Sequence, residues 1–303
     1  MSLNYYIADV FTQQAFAGAQ IAVFPHADDI DAEKMQSIAR ELNLSETVFI
    51  TNPQHTDQHR TLRIFSPLKE IDFAGHPIIA AAYVLATLGD ISLDKANTQI
   101  SFSQNQGDFD VNISLSDGKV SLVQFSQKVA SVIDRFTPPD NELAKFLSLD
   151  VSALDHKKYA TRLVSCGFPY LIVPVWDYDS VRNAKFDFAT WSQSAAPQTA
   201  AQEILLFSPK TPYRDANFNA RLLGPNIGPH DDPPVGSAMP AFASYLCSFD
   251  FTQLGTHIFA VDRGDKANRR SVIHLEMDHK AKSDLTLRVG GQAVMVVEGQ
   301  LLV

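Results

Sequence analysis

Two short segments, one in each half of the chain, place a glycine and a polar residue at the head of an apolar helix, with a carboxylate just before them. Asp72-Phe73-Ala74-Gly75-His76-Pro77 runs into the alanine-rich stretch 78–85, and Asp231-Asp232-Pro233-Pro234-Val235-Gly236-Ser237 runs into the alanine-rich stretch 238–246. The N–H groups in the first turn of a helix have no partner within it, and the macrodipole adds roughly half a positive charge there, so Gly75-His76 and Gly236-Ser237 are candidate receptors for an anion. Glycine suits such a place because a missing Cβ lets a ligand approach the backbone or lets φ turn positive. One copy alone reads more readily as an ordinary helix cap. Each copy, however, follows a strand-like segment with an arginine four residues before a proline, Arg63 to Pro67 and Arg221 to Pro225. Two copies in register argue for a clamp that holds a small carboxylate between two helix starts.

The elements around these segments repeat as well. Residues 16–23 and 165–173 are both glycine turns opening a β-rich stretch, and 47–50 and 204–207 are both short apolar runs of strand type. The chain reads as a diverged tandem duplication. Apolar or small residues at Ala32, Met35, Ile38, Ala39 and Leu42 have helical spacing, which leaves Ser45 and Glu46 in the turn before a strand at Val48. Turns at 105–108 and 117–118 punctuate alternating strands up to Phe125, 139–147 reads as a short helix, and the domain boundary falls between Phe125 and Pro138.

Glu46 stands out among the carboxylates. A glutamate in a tight turn before a buried strand, if held out of water, has its pKa raised into the range useful for proton transfer; the alternative is a surface or capping residue. His76 reads as a second acid/base or as a donor at the helix start. Asp232 reads as a cap or as a substrate contact, and Ser237 offers both a hydroxyl and an N–H.

The motifs that carry these residues resemble the signatures of the phenazine-biosynthesis isomerase-like (PhzF-like) family. Asn-Leu-Ser-Glu-Thr-Val-Phe (43–49), Phe-Ala-Gly-His-Pro (73–77) and Asp-Pro-Pro-Val-Gly-Ser-Ala (232–238) are the three main matches, with Asp-Val-Phe (9–11), Ser-Cys-Gly (165–167) and Arg-Val-Gly-Gly-Gln-Ala (288–293) beside them, so that the resemblance covers almost the whole chain. It implies an α+β, diaminopimelate-epimerase-like fold: two similar domains, each a curved mixed sheet wrapped around a central helix, with the active site in the cleft between them. The domains would be 1–128 and 129–292, with the last strand, about 293–303, returning to the first and two chain crossings forming the hinge. It implies a cofactor-independent isomerase acting on a small carboxylate-bearing ring or amino-acid-like substrate. Glu46 would be the acid/base, His76, Asp232 and Ser237 further catalytic residues, and Ser45, Asp72, Gly75 and Gly236 substrate-binding positions. Members commonly form homodimers. Gly18-Ala19-Gln20 departs from the family's Gly-Asn-Pro, and Asp232-Pro233-Pro234-Val235 lacks its threonine, so substrate specificity is open.

Composition narrows the field. With 303 residues the chain is long enough for two cores. A formal charge of −9 argues against a nucleic-acid partner, and Lys157-Lys158 and Arg269-Arg270 read as solvated surface. No apolar run approaches a membrane span, and the start of the chain lacks the basic and apolar regions of a signal peptide, so a cytoplasmic location is expected. No metal is expected at His230-Asp231-Asp232, since neighbouring side chains do not easily converge on one ion, and no glycine-rich dinucleotide fingerprint is seen.

Two other functions fit parts of this pattern. A non-catalytic small-molecule binder would keep the clamp but has no need of Glu46. An amino-acid racemase or epimerase of the two-thiol kind shares the implied fold and carries a cysteine directly before each helix-start glycine. Here those places hold Ala74 and Val235, while the only cysteines are Cys166 and Cys247. Turnover is therefore expected to survive the double substitution Cys166→Ser and Cys247→Ser, and a steady-state assay showing its loss without unfolding would restore the thiol reading.

Overall fold

A computed structural model describes residues 2–52, 58–93, 95–201, 203–225, 227, 232–265, 269–281 and 284–302. The chain divides into two compact units, one of Met1–Gln127, Lys266–Ile273 and Arg288–Val303, the other of Lys128–Asp265 and His274–Leu287. It passes between them four times where the sequence suggests two, because Lys266–Ile273 joins the first unit. That early return is made by the end of a loop and the start of a strand, which local patterning does not distinguish from the strand's remainder.

The first unit contains β1 (Ser2–Val10), β2 (Ala19–Phe24), α1 (Ala32–Leu42), β3 (Glu46–Thr51), β4 (His59–Phe65), β5 (Glu70–Ile71), α2 (Gly75–Leu88), β6 (Asn97–Gln104), β7 (Gly107–Ser116) and nearly all of β8 (Lys119–Val129). β1 is antiparallel to β2, β2 parallel to β3, β3 antiparallel to β4 and β4 parallel to β6. β6, β7 and β8 follow as antiparallel hairpins. α1 starts where the Asp31 side chain accepts from the Lys34 N–H at 2.8 Å, buries Met35, Ile38 and Ala39, and ends at Asn43 in the left-handed conformation.

α2 has a different character. Eleven of its fourteen residues are buried, so it has no solvent face, and it packs against β1, β2, β3 and β7. The final strand of the chain, β17 (Ala293–Leu302), also packs on α2 and pairs antiparallel with β1 along its length.

The second unit contains β9 (Val132–Asp134), α3 (Asp140–Phe146), β10 (Arg162–Ser165), β11 (Pro169–Pro174), α4 (Tyr178–Asn183), α5 (Phe188–Ser192), β12 (Glu203–Ser208), β13 (Phe218–Leu223), α6 (Met239–Cys247) and β14 (Gly255–Arg263). β15 (Ser271–Ala281) and β16 (Asp284–Gly291) are divided between the units. β10 is antiparallel to β11, β11 parallel to β12, β12 antiparallel to β13 and β13 parallel to β14, the succession found from β1 to β6. α6 is apolar and packs on β10 and β11, and its Tyr245 hydroxyl is satisfied by the Ala160 carbonyl at 2.9 Å.

The glycine at the head of α2 has a reason other than the one its motif suggests. Its φ is not positive, and a Cβ built there would lie 2.9 Å from Cζ of the buried Phe125 ring. Phe125 is itself held edge-to-face by Phe73 and Phe109. Gly75→Ala should therefore destabilise the protein by about 1–3 kcal/mol through overpacking, read as a lower urea midpoint with an unchanged slope, and Phe125→Leu in the same chain should recover part of the loss. Full stability in Gly75→Ala alone would show that the contact yields freely.

Candidate active site

Glu46 is the first residue of β3, not the last residue of the preceding turn, and sits in parallel register with Ile21 of β2. Its side chain is 15% exposed, and Oε2 is buried with no hydrogen-bond partner among the described residues. Burial in these surroundings raises its pKa from 4.5 to about 7. His76, in the first turn of α2, is buried, and its Nδ1 lies 4.0 Å from that oxygen, beyond direct hydrogen-bond length. The sequence thus leads to two residues that the first unit brings together. A carboxyl group half-ionised at neutral pH, next to an imidazole, is equipped to take and return a proton.

Other groups hold this pair in place, Gln104, which the sequence did not single out, and Phe11 of the Asp-Val-Phe segment. The Gln104 side chain accepts from the Ala74 N–H at 3.2 Å and donates to the Ala74 carbonyl at 3.4 Å, which fixes the turn leading into Gly75. The Phe11 ring meets His76 edge-on at 5.1 Å between centroids. Phe11 itself has φ of 60° and crowds Gly291, where a Cβ would lie 2.2 Å from the ring.

The Asp9 carboxylate braces the same segment, accepting from the Phe16 N–H at 2.6 Å and from Arg269 at 2.5 Å. Arg269 also donates to the carbonyls of Ala17 and Gly18. The reading of Arg269 as solvated surface is corrected, because a fully buried carboxylate recruits it. Burial still raises the Asp9 pKa, against the opposing influence of the Phe16 N–H and Arg269.

Ser45 and Asp72 lie differently from their motif neighbours. Both are exposed, and Asp72 accepts from Asn105 at 3.2 Å. The arginines of the repeated layout also differ in use: Arg63 makes a two-pronged pair with Glu70 at 2.8 Å, whereas Arg221 donates to the carbonyls of Arg182 and Ala184.

In the second unit Gly236, Ser237 and Ala238 form a 3₁₀ turn that leads into α6, so the first turn is tighter than the α-helical start of α2. Gly236 is buried and Ser237 half-buried. Asp232 is an ion-pair residue: its Oδ2 accepts from Arg182 at 2.6 Å, and Arg263 lies 3.7 Å from Oδ1. Arg263 also donates to the carbonyls of Asp232 and Pro233, while Arg182 donates to the Ala220 carbonyl at 2.9 Å. These contacts hold the turn that carries Gly236. His230 and Asp231 lie outside the described residues, among which no group of three or more metal-ligating side chains occurs.

Neither cysteine is placed at a helix start. Cys166 lies 3.6 Å from the Ser244 hydroxyl, and Cys247 is the last residue of α6. Burial raises both thiol pKa values, that of Cys247 to about 11, the reverse of what an activated thiol needs.

The chain is similar to known proteins along almost its whole length. Residues 8–299 match the family described as phenazine biosynthesis-like protein. An uncharacterized isomerase of Mesorhizobium japonicum is 29% identical, covering 99% of each chain. The trans-2,3-dihydro-3-hydroxyanthranilate isomerase of Pseudomonas chlororaphis is 25% identical, again over 99% of each. Among solved structures, a phenazine biosynthesis protein of the PhzF family from Bacillus anthracis superimposes with a TM-score of 0.87 at 21% identity, covering 100% of both chains. With its mixed sheets, its apolar helices and a family match that runs almost end to end, the chain belongs to the phenazine biosynthesis-like (PhzF) family.

Proposed function

We propose that the protein is an isomerase that moves a proton between two carbons of a small carboxylate-bearing ring or amino-acid-like substrate, with Glu46 as the group that carries it. The observation that carries this reading is the buried Glu46 carboxyl, with a pKa of about 7 and His76 Nδ1 at 4.0 Å. The carboxylate takes a proton from one carbon, the freed electron pair shifts through the adjoining double bond, and the carboxylic acid returns the proton to the carbon at its far end. Charge that builds during the shift needs donors already in place. Gly75 and His76 are proposed to supply them in the first unit, and the N–H groups of Gly236 and Ser237 to receive a carboxylate in the second. Asp232 is proposed as a positioning residue, because its contacts are to Arg182 and Arg263. The reading invokes no cofactor, since a tuned acid/base and preorganised donors account for the proposed transfer.

The name of the Pseudomonas chlororaphis relative supports a cyclic amino acid as the substrate class. Ala19 and Gln20 mark where this chain's specificity would depart from it. The parallel pairings repeated in each unit support a duplicated ancestry. The two-thiol racemase gains no support, given the protonated state that burial favours at both cysteines.

Glu46→Gln keeps the size and removes the base. It should lower turnover by about 10²-fold or more while leaving the fold intact. In D₂O the wild type should place deuterium at the reprotonated carbon. An assay over cyclic and α-amino carboxylates that finds near-wild-type activity in Glu46→Gln would sink the assignment.

The same carboxyl should be visible in stability. A pKa raised to about 7 on folding means that its contribution is fully present below pH 4.5 and is lost as pH rises through 7. The Glu46→Gln protein lacks this dependence. The stability gap between variant and wild type should therefore widen in favour of the variant by about 3 kcal/mol from pH 4.5 to above 7, measured by urea titration at a series of pH values. A gap that stays constant would show that Glu46 is well solvated.

A further inference from the structure

The pairing registers identify the residue of the second unit that stands where Glu46 stands in the first. β2 and β3 are parallel with Ile21 beside Glu46, and β3 runs antiparallel to β4 with Phe49 opposite Arg63. β11 and β12 are parallel with Tyr170 beside Glu203, and β12 runs antiparallel to β13 with Leu206 opposite Arg221. Three residues before the partner of either arginine lies the first residue of its strand, Glu46 in β3 and Glu203 in β12. The two carboxyl groups therefore occupy equivalent places in the two sheets.

They also share a face, because side chains alternate across a strand. In β3, Phe49 joins the core that contains Met35 and Ile38 of α1, so Glu46 points the other way, to the head of α2, where His76 Nδ1 lies 4.0 Å from it. In β12, Ile204 and Leu206 join the core that contains Phe146 of α3 and Val181 of α4, whereas the Phe207 ring meets Phe242 and Tyr245 of α6. Period two thus turns Glu203 to the α6 side. Glu203 is half-buried, and burial is what raises its pKa, with no guanidinium, ammonium or imidazole among the described residues lowering it. Asp232, in the same unit, faces two guanidinium groups. A carboxylate held partly out of water without a counter-charge is costly, and a cation brought by a ligand would compensate it.

We propose, resting on the isomerase reading above, that Glu203 is a specificity-determining residue that receives an ammonium group of the substrate beside the carboxylate held by the N–H groups of Gly236 and Ser237. The first unit supplies the precedent, since the same strand position there lies beside the first turn of α2. The 3₁₀ turn of Gly236 and Ser237 follows β13 as the start of α2 follows β4 and β5, so the equivalent position in β12 belongs to the equivalent helix start. The substrate class narrows to ring compounds that carry an amino group next to the carboxylate. A hydroxy acid of the same shape lacks the positive charge, and charge-assisted hydrogen bonds are roughly twice as strong as neutral ones.

The test is calorimetric titration of the full chain at neutral pH with cis-2-aminocyclohexanecarboxylate, cis-2-hydroxycyclohexanecarboxylate and cyclohexanecarboxylate. Wild type should bind the amino probe at least about tenfold more tightly than the other two. Glu203→Gln should abolish that preference by weakening the amino probe alone, and Glu203→Asp, which keeps the charge, should retain part of it. The urea midpoint of Glu203→Gln should be no lower than that of wild type, because burial disfavours the charge that it removes. The proposal is overturned if wild type does not bind the amino probe or does not prefer it, if the preference persists in Glu203→Gln, or if that variant weakens all probes equally, which would make the role structural. The two readings fail separately: near-wild-type turnover in Glu46→Gln sinks the base assignment, whereas a preference indifferent to Glu203 sinks only the ammonium site.

Discussion

The burial of α2 is the constraint on which the first unit depends. A helix apolar on every side can be stable in water only when enclosed, and β1, β2, β3, β7 and β17 enclose this one. β3 begins with Glu46, so the packing that hides the helix also takes the Glu46 carboxyl out of water. A shift from 4.5 to about 7 corresponds to about 3 kcal/mol against the ionised form. Fully burying one large aliphatic side chain contributes about 1.5–3 kcal/mol, and Ile78, Ile79, Val84 and Leu85 are all within 1% of complete burial. The apolar helix is therefore sufficient to hold a carboxyl group in surroundings that it would otherwise leave.

The second unit handles its carboxylate in the opposite way. Asp232 is as little exposed as Glu46, at 18% against 15%, yet two guanidinium groups face it. A carboxylate so engaged fixes backbone, because removing one member of a buried ion pair leaves the other uncompensated. The same family pattern thus leads to two different physical roles. Glu46 has a neighbouring imidazole and a raised pKa, while Asp232 holds the turn before the 3₁₀ start of α6.

What could be read in the sequence was local. The spacing of Met35, Ile38 and Ala39 and the hairpin turns at 105–108 and 117–118 each leave a periodic or conformational mark within a few residues. The motif glycines were legible as positions needing no side chain, but the reason at Gly75 was not, since Phe125 lies fifty residues away in β8. The Asp9–Arg269 pair, separated by 260 positions, left no mark, because two charges brought together by tertiary closure need no shared local pattern. Arg182 and Gln104 were missed for the same reason.

The strained segment after β1 shows how these distant contacts bear on the site. Phe11 and Phe16 both have positive φ, a conformation that costs a non-glycine residue of the order of 1 kcal/mol or more. It persists because the Asp9 carboxylate binds the Phe16 N–H while Arg269 grips the Ala17 and Gly18 carbonyls, and because Gly291 leaves room for the Phe11 ring. That ring then stands against His76. The imidazole is consequently held on one side by its place in α2 and on another by an aromatic ring whose own position depends on a buried ion pair. The position of His76 relative to Glu46 is in this way a property of the whole unit, from the first strand to the segment that returns near the end of the chain.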